Sequence, residues 1–323
     1  MPFSSVISRS DAAAVIPEDV SSEIIKSVSE TNPIMRLARR LPDMSRAQRR
    51  LPVMSSLATA YFVAGDTGLK QATDVAWANK YLDAEEVAAI VPISEAVLND
   101  NDFDIWSEVR PAIVDAINIA IVRAVLYGTN IPASWTTNMG AAGLVAGSTA
   151  AGHTISAAAY TDLYEAILGE KANGDDGLFM LPEADGYGIT GVLAHMSMKG
   201  KLRNVRDSEG YPIFKTTMQS PTAYEIDGAP LIFPADGSMV SASSLLVAGQ
   251  WDQLVYAIRQ DITYKVLDQA VIQDAAGNIV YNLAQQDMVA LRAVIRLGFA
   301  LPNPLNAMNE TESTRFPFSV LTA

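Results

Sequence analysis

The side chains that most often carry chemistry are scarce in this chain. It has no cysteine, which removes thiolate nucleophiles, disulfides and Cys-based zinc or iron–sulfur sites together. Its two histidines, His153 and His195, stand far apart, and neither has another histidine three or four residues away. Metal sites need several imidazole, thiolate or carboxylate ligands converging, so both read as ordinary packed or partly exposed residues. Gly65-Asp66-Thr67-Gly68-Leu69-Lys70 has a passing likeness to a phosphate loop. Its spacing departs from Gly-x-x-x-x-Gly-Lys-Ser/Thr, and Gln71 stands where a magnesium-binding hydroxyl is required. The segment reads as a turn. No Gly-x-Ser-x-Gly elbow is present. The acid pairs Glu85-Glu86 and Asp175-Asp176 have groups suited to acid–base work, but adjacent carboxylates in polar surroundings are ordinarily solvated turn or helix-end residues. No catalytic, cofactor or metal site is expected, and the chain does not read as an enzyme.

Charge and hydropathy say more. The net charge is -13 with 49% hydrophobic residues and 18% charged ones, apolar for a soluble chain with this much surface. Either neighbouring copies cover part of that surface or the chain is a compact α/β domain rich in Ala and Val. A surface this acidic argues against tight nucleic-acid binding, which depends on clustered Lys and Arg. The charge is uneven, however. Arg36, Arg39, Arg40, Arg46, Arg49 and Arg50 face one acid, Asp43, over residues 36–50. That run is a solvated face or an arm that docks on the acidic body of a neighbour. Met1-Pro2-Phe3-Ser4-Ser5-Val6 lacks the charged and apolar regions of a signal peptide. The longest apolar stretch, Ala112–Leu126, is interrupted by Asp115, Asn118 and Arg123 and is too short to span a bilayer. A soluble protein is expected.

The elements that would carry these residues follow from periodicity. Pro17-Glu18-Asp19 opens a helical pattern with Ile24, Ile25 and Val28 on one face, ending by Asn32-Pro33. Val53, Leu57, Tyr61, Phe62 and Val63 have strand content, and Val87–Ile93 is a second strand. Together these predict a hairpin reaching away from the body over residues 51–90. Such a hairpin is marginal alone and needs something to lie against. Ile105, Val109, Ile113, Ile117, Ile121 and Val125 recur every fourth residue, the strongest helical signal in the chain. Pro111 should kink that helix or split off its first turn, and Gly128 closes it. Residues 129–153 read as a loop. Beyond them come a helix over 157–171, strands near 178–181 and 189–192, and a helix over 195–204. Strands follow near 231–233, 245–248, 255–258 and 262–266, and finally 288–299.

Several segments, in order, resemble the major capsid proteins of tailed phages, the Hong Kong phage-type shell family. The spine-like helix ends Val125-Leu126-Tyr127-Gly128-Thr129-Asn130, like the family's helix-to-loop junction. Met198-Lys199-Gly200-Lys201-Leu202 leads to Arg206-Asp207-Ser208-Glu209-Gly210-Tyr211-Pro212-Ile213-Phe214, similar to the family's helix and Asp-Ser-x-Gly turn. Ile226-Asp227-Gly228-Ala229-Pro230-Leu231 resembles a Gly-x-Pro-Val strand entry. Ala248-Gly249-Gln250-Trp251-Asp252 with Tyr256-Ala257-Ile258-Arg259 resembles a strand pair, and Asp287 to Pro304 resembles the late peripheral strand. Each motif is short, but their order extends over about 280 residues.

The resemblance implies an α+β capsid fold: an N-terminal arm (1–50), an extended β-hairpin loop (51–90), a peripheral domain with the spine helix (91–150), an α/β axial domain (151–280), and a return strand with the C-terminus (281–323). It implies hexamers and pentamers closing an icosahedral head around double-stranded DNA in a virion, assembled in the host cytoplasm. The partners are copies of the chain, a portal protein, and a separate scaffolding or decoration protein if any. Arg36, Arg39 and Arg40 would hold the arm to neighbours and Trp77 would anchor the loop. Arg292 and Arg296 would pair with acids in or across the peripheral domain. Val294 and Ile295 stand where some members carry a glutamate that promotes a Lys–Asn crosslink, so no such weld is expected. The alternatives are an encapsulin-like nanocompartment shell and a soluble α/β enzyme.

Overall fold

A computed structural model of the chain describes residues 32–63, 70, 72–100, 105–160, 162–169, 177–206, 210–211, 213–214, 224–274 and 276–323. The acidic helical pattern before Asn32, the 65–68 turn and the 175–176 acid pair lie outside the described residues.

The chain enters on a short helix, α1 (Pro33–Leu37), started by the same dipeptide expected to end one. Asn32 Oδ1 accepts from Ile34 N (3.1 Å) and Met35 N (3.2 Å), and Pro33 takes the first helical position, where its missing N–H costs nothing. Next come β1 (Arg39–Arg40), β2 (Gln48–Met54), β3 (Trp77–Asp83) and β4 (Glu85–Ser94). Strand β2 pairs with β3, from Gln48↔Asp83 to Met54↔Trp77. The hairpin partner is therefore 77–83 rather than 87–93, and residues 57–63 are not strand. The reason is burial: Val87, Ala89 and Val91 pack on the central core and commit β4 to another sheet.

Helix α2 (Glu95–Asp100) precedes the long α3 (Ile105–Tyr127), which runs unbroken through Pro111. Its Ile113, Ile117, Ile121 and Val125 are buried, as the fourth-residue repeat requires. The 129–153 stretch is not a loop; it holds α4 (Ala133–Met139) and α5 (Leu144–Ala150). Small residues there permit close approach, and Trp135, Met139 and Leu144 supply the buried anchors. A Cβ on Gly147 would stand 2.4 Å from the Phe316 ring.

The second half contains β5 (Thr154–Ser156), α6 (Leu163–Leu168), α7 (Gly177–Ala184), β6 (Gly191–Ala194), α8 (Met196–Arg203), β7 (Glu225–Ile226), β8 (Ala229–Ile232) and β9 (Leu246–Gly249). The predicted strand at 178–181 is helix α7. Its Leu-Phe-Met-Leu run has no β-branched residue, and such a short apolar run cannot separate helix from strand by periodicity. There follow β10 (Val255–Leu267), β11 (Val271–Gln273), β12 (Ile279–Asn282), β13 (Met288–Ala300) and β14 (Phe318–Thr322). The two strands predicted at 255–258 and 262–266 are one strand with register shifts around Gln260.

Two larger sheets result. One has the order β1-β10-β13-β4 and the other β5-β14-β9-β6-β8-β7; β2-β3 and β11-β12 form separate ribbons. The six-stranded sheet is buried on both faces. Leu193, Val247 and Val320 join the core around α3, whereas Val192, Ala194, Leu246 and Leu321 join a second core with α6, α7 and α8. This is the period-2 alternation of a strand packed on two layers. The C-terminal strand β14 lies between β5 and β9. Residues 281–323 therefore do not stay together: β13 serves the four-stranded sheet and β14 the six-stranded one. Residues 85–90 likewise belong to the four-stranded sheet rather than to the hairpin.

Phe299 is fully buried, with its ring 5.2 Å from that of Trp135 and 5.6 Å from that of Tyr256. Phe299→Ala should lower stability by about 3–5 kcal/mol, read as a lower denaturant midpoint at unchanged slope.

Candidate assembly surface

The site that the fold builds is a projecting ribbon with a rigid root. At the root, the Trp135 indole N–H donates to the Asp83 carbonyl (3.1 Å), Asn138 Nδ2 donates to Asp83 Oδ2 (2.9 Å), and the Ser134 hydroxyl donates to Glu85 Oε1 (2.6 Å). All three donors lie on α4. Leu82 is fully buried among Met44, Val255, Ala257 and Ala300. Gly298 on β13 passes so close that a Cβ there would meet the Asp83 carbonyl oxygen at 2.5 Å. Arg49 donates to the carbonyls of Pro42 (2.7 Å) and Asp43 (3.0 Å), and Lys80 forms a close ion pair with Glu312. The take-off direction of the ribbon is thus fixed by packing and hydrogen bonds on several sides.

Farther out the ribbon is bare. Trp77 is 68% exposed, and Phe62, in the segment beyond β2, is fully exposed. Both are large aromatic side chains left in water.

The predicted arginines do not form one cluster. Arg36 closes α1 and lines a cleft with Lys199. Arg39 and Arg40 form the edge strand β1, beside Val255 and Tyr256, and both are exposed. Arg40 meets Asp43 at 3.0 Å in an exposed pair, a geometry that contributes little stability. Arg292 and Arg296 lie on one face of β13. Arg296 stands opposite Glu86, Nε to Oε2 3.6 Å. Arg292 stands between Ile90 on β4 and Lys265 on β10, a like-charge neighbour that leaves the cation without compensation on that side.

No group of three potential metal ligands occurs among the described residues. His195 caps α8, its Nδ1 accepting from Ser197 N (3.2 Å). His153 is buried, with Nε2 3.3 Å from Asp185 Oδ2. Asp185 also accepts from Phe316 N (2.9 Å) and Asn309 Nδ2 (2.6 Å). Nearby, the buried Arg315 donates to the carbonyls of Asn309 (2.7 Å) and Asn303 (3.1 Å). Burial raises the Tyr187 phenol above its ordinary value, against the opposing pull of Arg315. This knot fastens residues 303–316 to the body. Sequence reasoning missed it because its members are scattered over more than 150 positions. Glu85 and Glu86 turn to Ser134 and Arg296 respectively, so they do not act as a pair.

Comparison with known proteins defines the class. A model of the phage capsid family matches residues 12–308. The major capsid protein of Staphylococcus phage 80alpha is 23% identical over 283 residues, 86% of this chain and 79% of that protein. A solved structure from Microbacterium phage Oxtober96 superposes with a TM-score of 0.80 at 33% identity, covering 98% of this chain and 99% of the other. One from Mycobacterium phage Adephagia gives 0.79 at 27%, covering 98% of each. The fold is that of a structural shell subunit. This chain belongs to the phage capsid family.

Gly298→Ala should push β13 and the ribbon root apart and cost about 1–3 kcal/mol, measured as a fall in melting temperature. Protease cleavage within 48–83 should quicken in the same variant.

Proposed function

We propose that copies of this chain assemble into hexamers and pentamers that close an icosahedral phage head around double-stranded DNA. The observation that carries the reading is the ribbon with a fixed root and bare aromatic outer half, on a subunit of the phage capsid family. Water-exposed apolar area of this kind gains roughly 25 cal/mol per Å² when a neighbour covers it. In this reading residues 1–50 act as an arm and the ribbon as the extended loop. Residues 91–150 with β13 act as the peripheral domain and the six-stranded sheet as the axial domain. Trp77 anchors the loop on an adjacent subunit. Arg39 and Arg40 hold the arm to neighbours with help from Arg36. Arg292, beside Lys265, takes a carboxylate from across the interface, whereas Arg296 has Glu86 within its own chain. The role is structural rather than catalytic. The net charge of -13 suits a wall that must not grip packaged DNA. Assembly takes place in the host cytoplasm, with a portal protein and, where used, separate scaffolding or decoration proteins.

The test is size-exclusion chromatography with negative-stain microscopy of the purified chain. Closed shells, tubes or capsomer rings are expected. A stable small species under every condition overturns the reading, and shells filled with a protein cargo instead of DNA favour a nanocompartment. Trp77→Ala should leave the circular dichroism spectrum unchanged while reducing particle yield several-fold. Arg292→Glu should act in the same direction and more strongly at low salt, because the contact is electrostatic.

A further inference from the structure

The connection from β10 to β13 folds into a ribbon of its own, β11 against β12. Val255 pairs with Ala300 at one end of the four-stranded sheet, and Leu267 pairs with Ala290 near the other. At roughly 3.3 Å per residue, this second ribbon leaves the sheet about 40 Å from the root of the first. It is apolar and bare: Ile279 is 63% exposed, and Val271, Val280 and Tyr281 also stand in water. Strand edges are ordinarily guarded by Lys or Pro. Residues 271–282 contain neither, and no Arg.

The ribbon carries one charge, in its turn. Asp274 Oδ1 accepts from Ala276 N (2.9 Å) and Asn278 N (2.8 Å), and its Oδ2 accepts from Asn278 Nδ2 (3.1 Å). The hydrogen bonds from Asn278 hold this carboxyl below its ordinary value. The turn therefore presents a fixed anion to water.

The complement lies on the same chain. Leu291, Ala293, Ile295 and Leu297 turn into the core around α3, so Arg292 faces the other way. Its register partners Lys265 and Ile90 share that face, and Ile90 is 45% exposed. Neither cation has an ion pair among the described residues. The patch offers two cations beside an apolar side chain; the ribbon offers an anion among apolar ones.

We propose that the β11–β12 ribbon of one copy seats on the Ile90, Lys265 and Arg292 patch of the next, with Asp274 at the two cations. The proposal names the carboxylate that Arg292 takes, and it rests on the reading that copies assemble. The occupant is a second copy because this chain carries both halves of the match. Each copy gives a ribbon and receives one, a head-to-tail contact that closes into a ring when its rotation permits.

Because the chain lacks cysteine, introduced thiols report without background. The full-length double variant I90C/I279C is oxidised mildly and run on a denaturing gel without reductant. Dimers and higher multimers are expected, several-fold above either single variant. An internally closed monomer overturns the proposal, as do dimers no more abundant than in I279C alone, which would mean ribbon meeting ribbon. Thermal melts check folding, and I90C/V280C replaces a pair that melts early. Charge is tested in the same background. Asp274→Asn keeps the acceptor for the turn and removes its charge. It should lower the crosslink several-fold, yet raise it in a chain carrying Arg292→Glu, where it relieves repulsion. An effect of one sign in both chains refutes the ion pair. Particle formation by the parent chain scores the shell reading separately, and the crosslink decides this contact whichever way that falls.

Discussion

The backbone at Asp83 is the point on which the geometry of the subunit turns. Its carbonyl takes the Trp135 indole, its carboxylate takes Asn138, and Gly298 leaves room for it against β13. Strands β3 and β4 diverge here, one into the projecting ribbon and one into the central sheet. A two-stranded ribbon has little stability of its own. Its direction is therefore borrowed from α4 and β13, both built into the core around Trp135 and Phe299.

How much of this was legible in the sequence depends on the kind of signal. The long helix was plain because Ile113, Ile117, Ile121 and Val125 repeat at a spacing that only a helix turns to one side. The 288–299 strand is legible as a long β-like run, and it is strand β13. Helices α4 and α5 were hidden by Ala, Gly, Ser and Thr, whose composition favours no element. They exist because tertiary packing of Trp135, Met139 and Leu144 overrides weak local preference. Helix α7 was misread because Leu178–Leu181 is apolar in either conformation.

The candidate surface was legible in part. Trp77 could be singled out as an aromatic within a polar stretch, and it is indeed bare. The arginines could be found but not sorted. Only strand register shows that Arg296 has Glu86 opposite it while Arg292 has Lys265. The knot of His153, Asp185, Asn309 and Arg315 leaves no local mark at all, since each member is unremarkable beside its sequence neighbours.

The position of β14 has a consequence for the order in which the molecule can form. This strand is interior to the six-stranded sheet, hydrogen-bonded on one side to β9 and on the other to β5. Its residues leave the ribosome after both flanking strands. Until then β5 has no partner and β9 has a bare edge, and such edges invite pairing with other chains. Completion of the sheet thus waits on its last strand, so a nascent subunit stays unfinished until residues 318–322 have emerged.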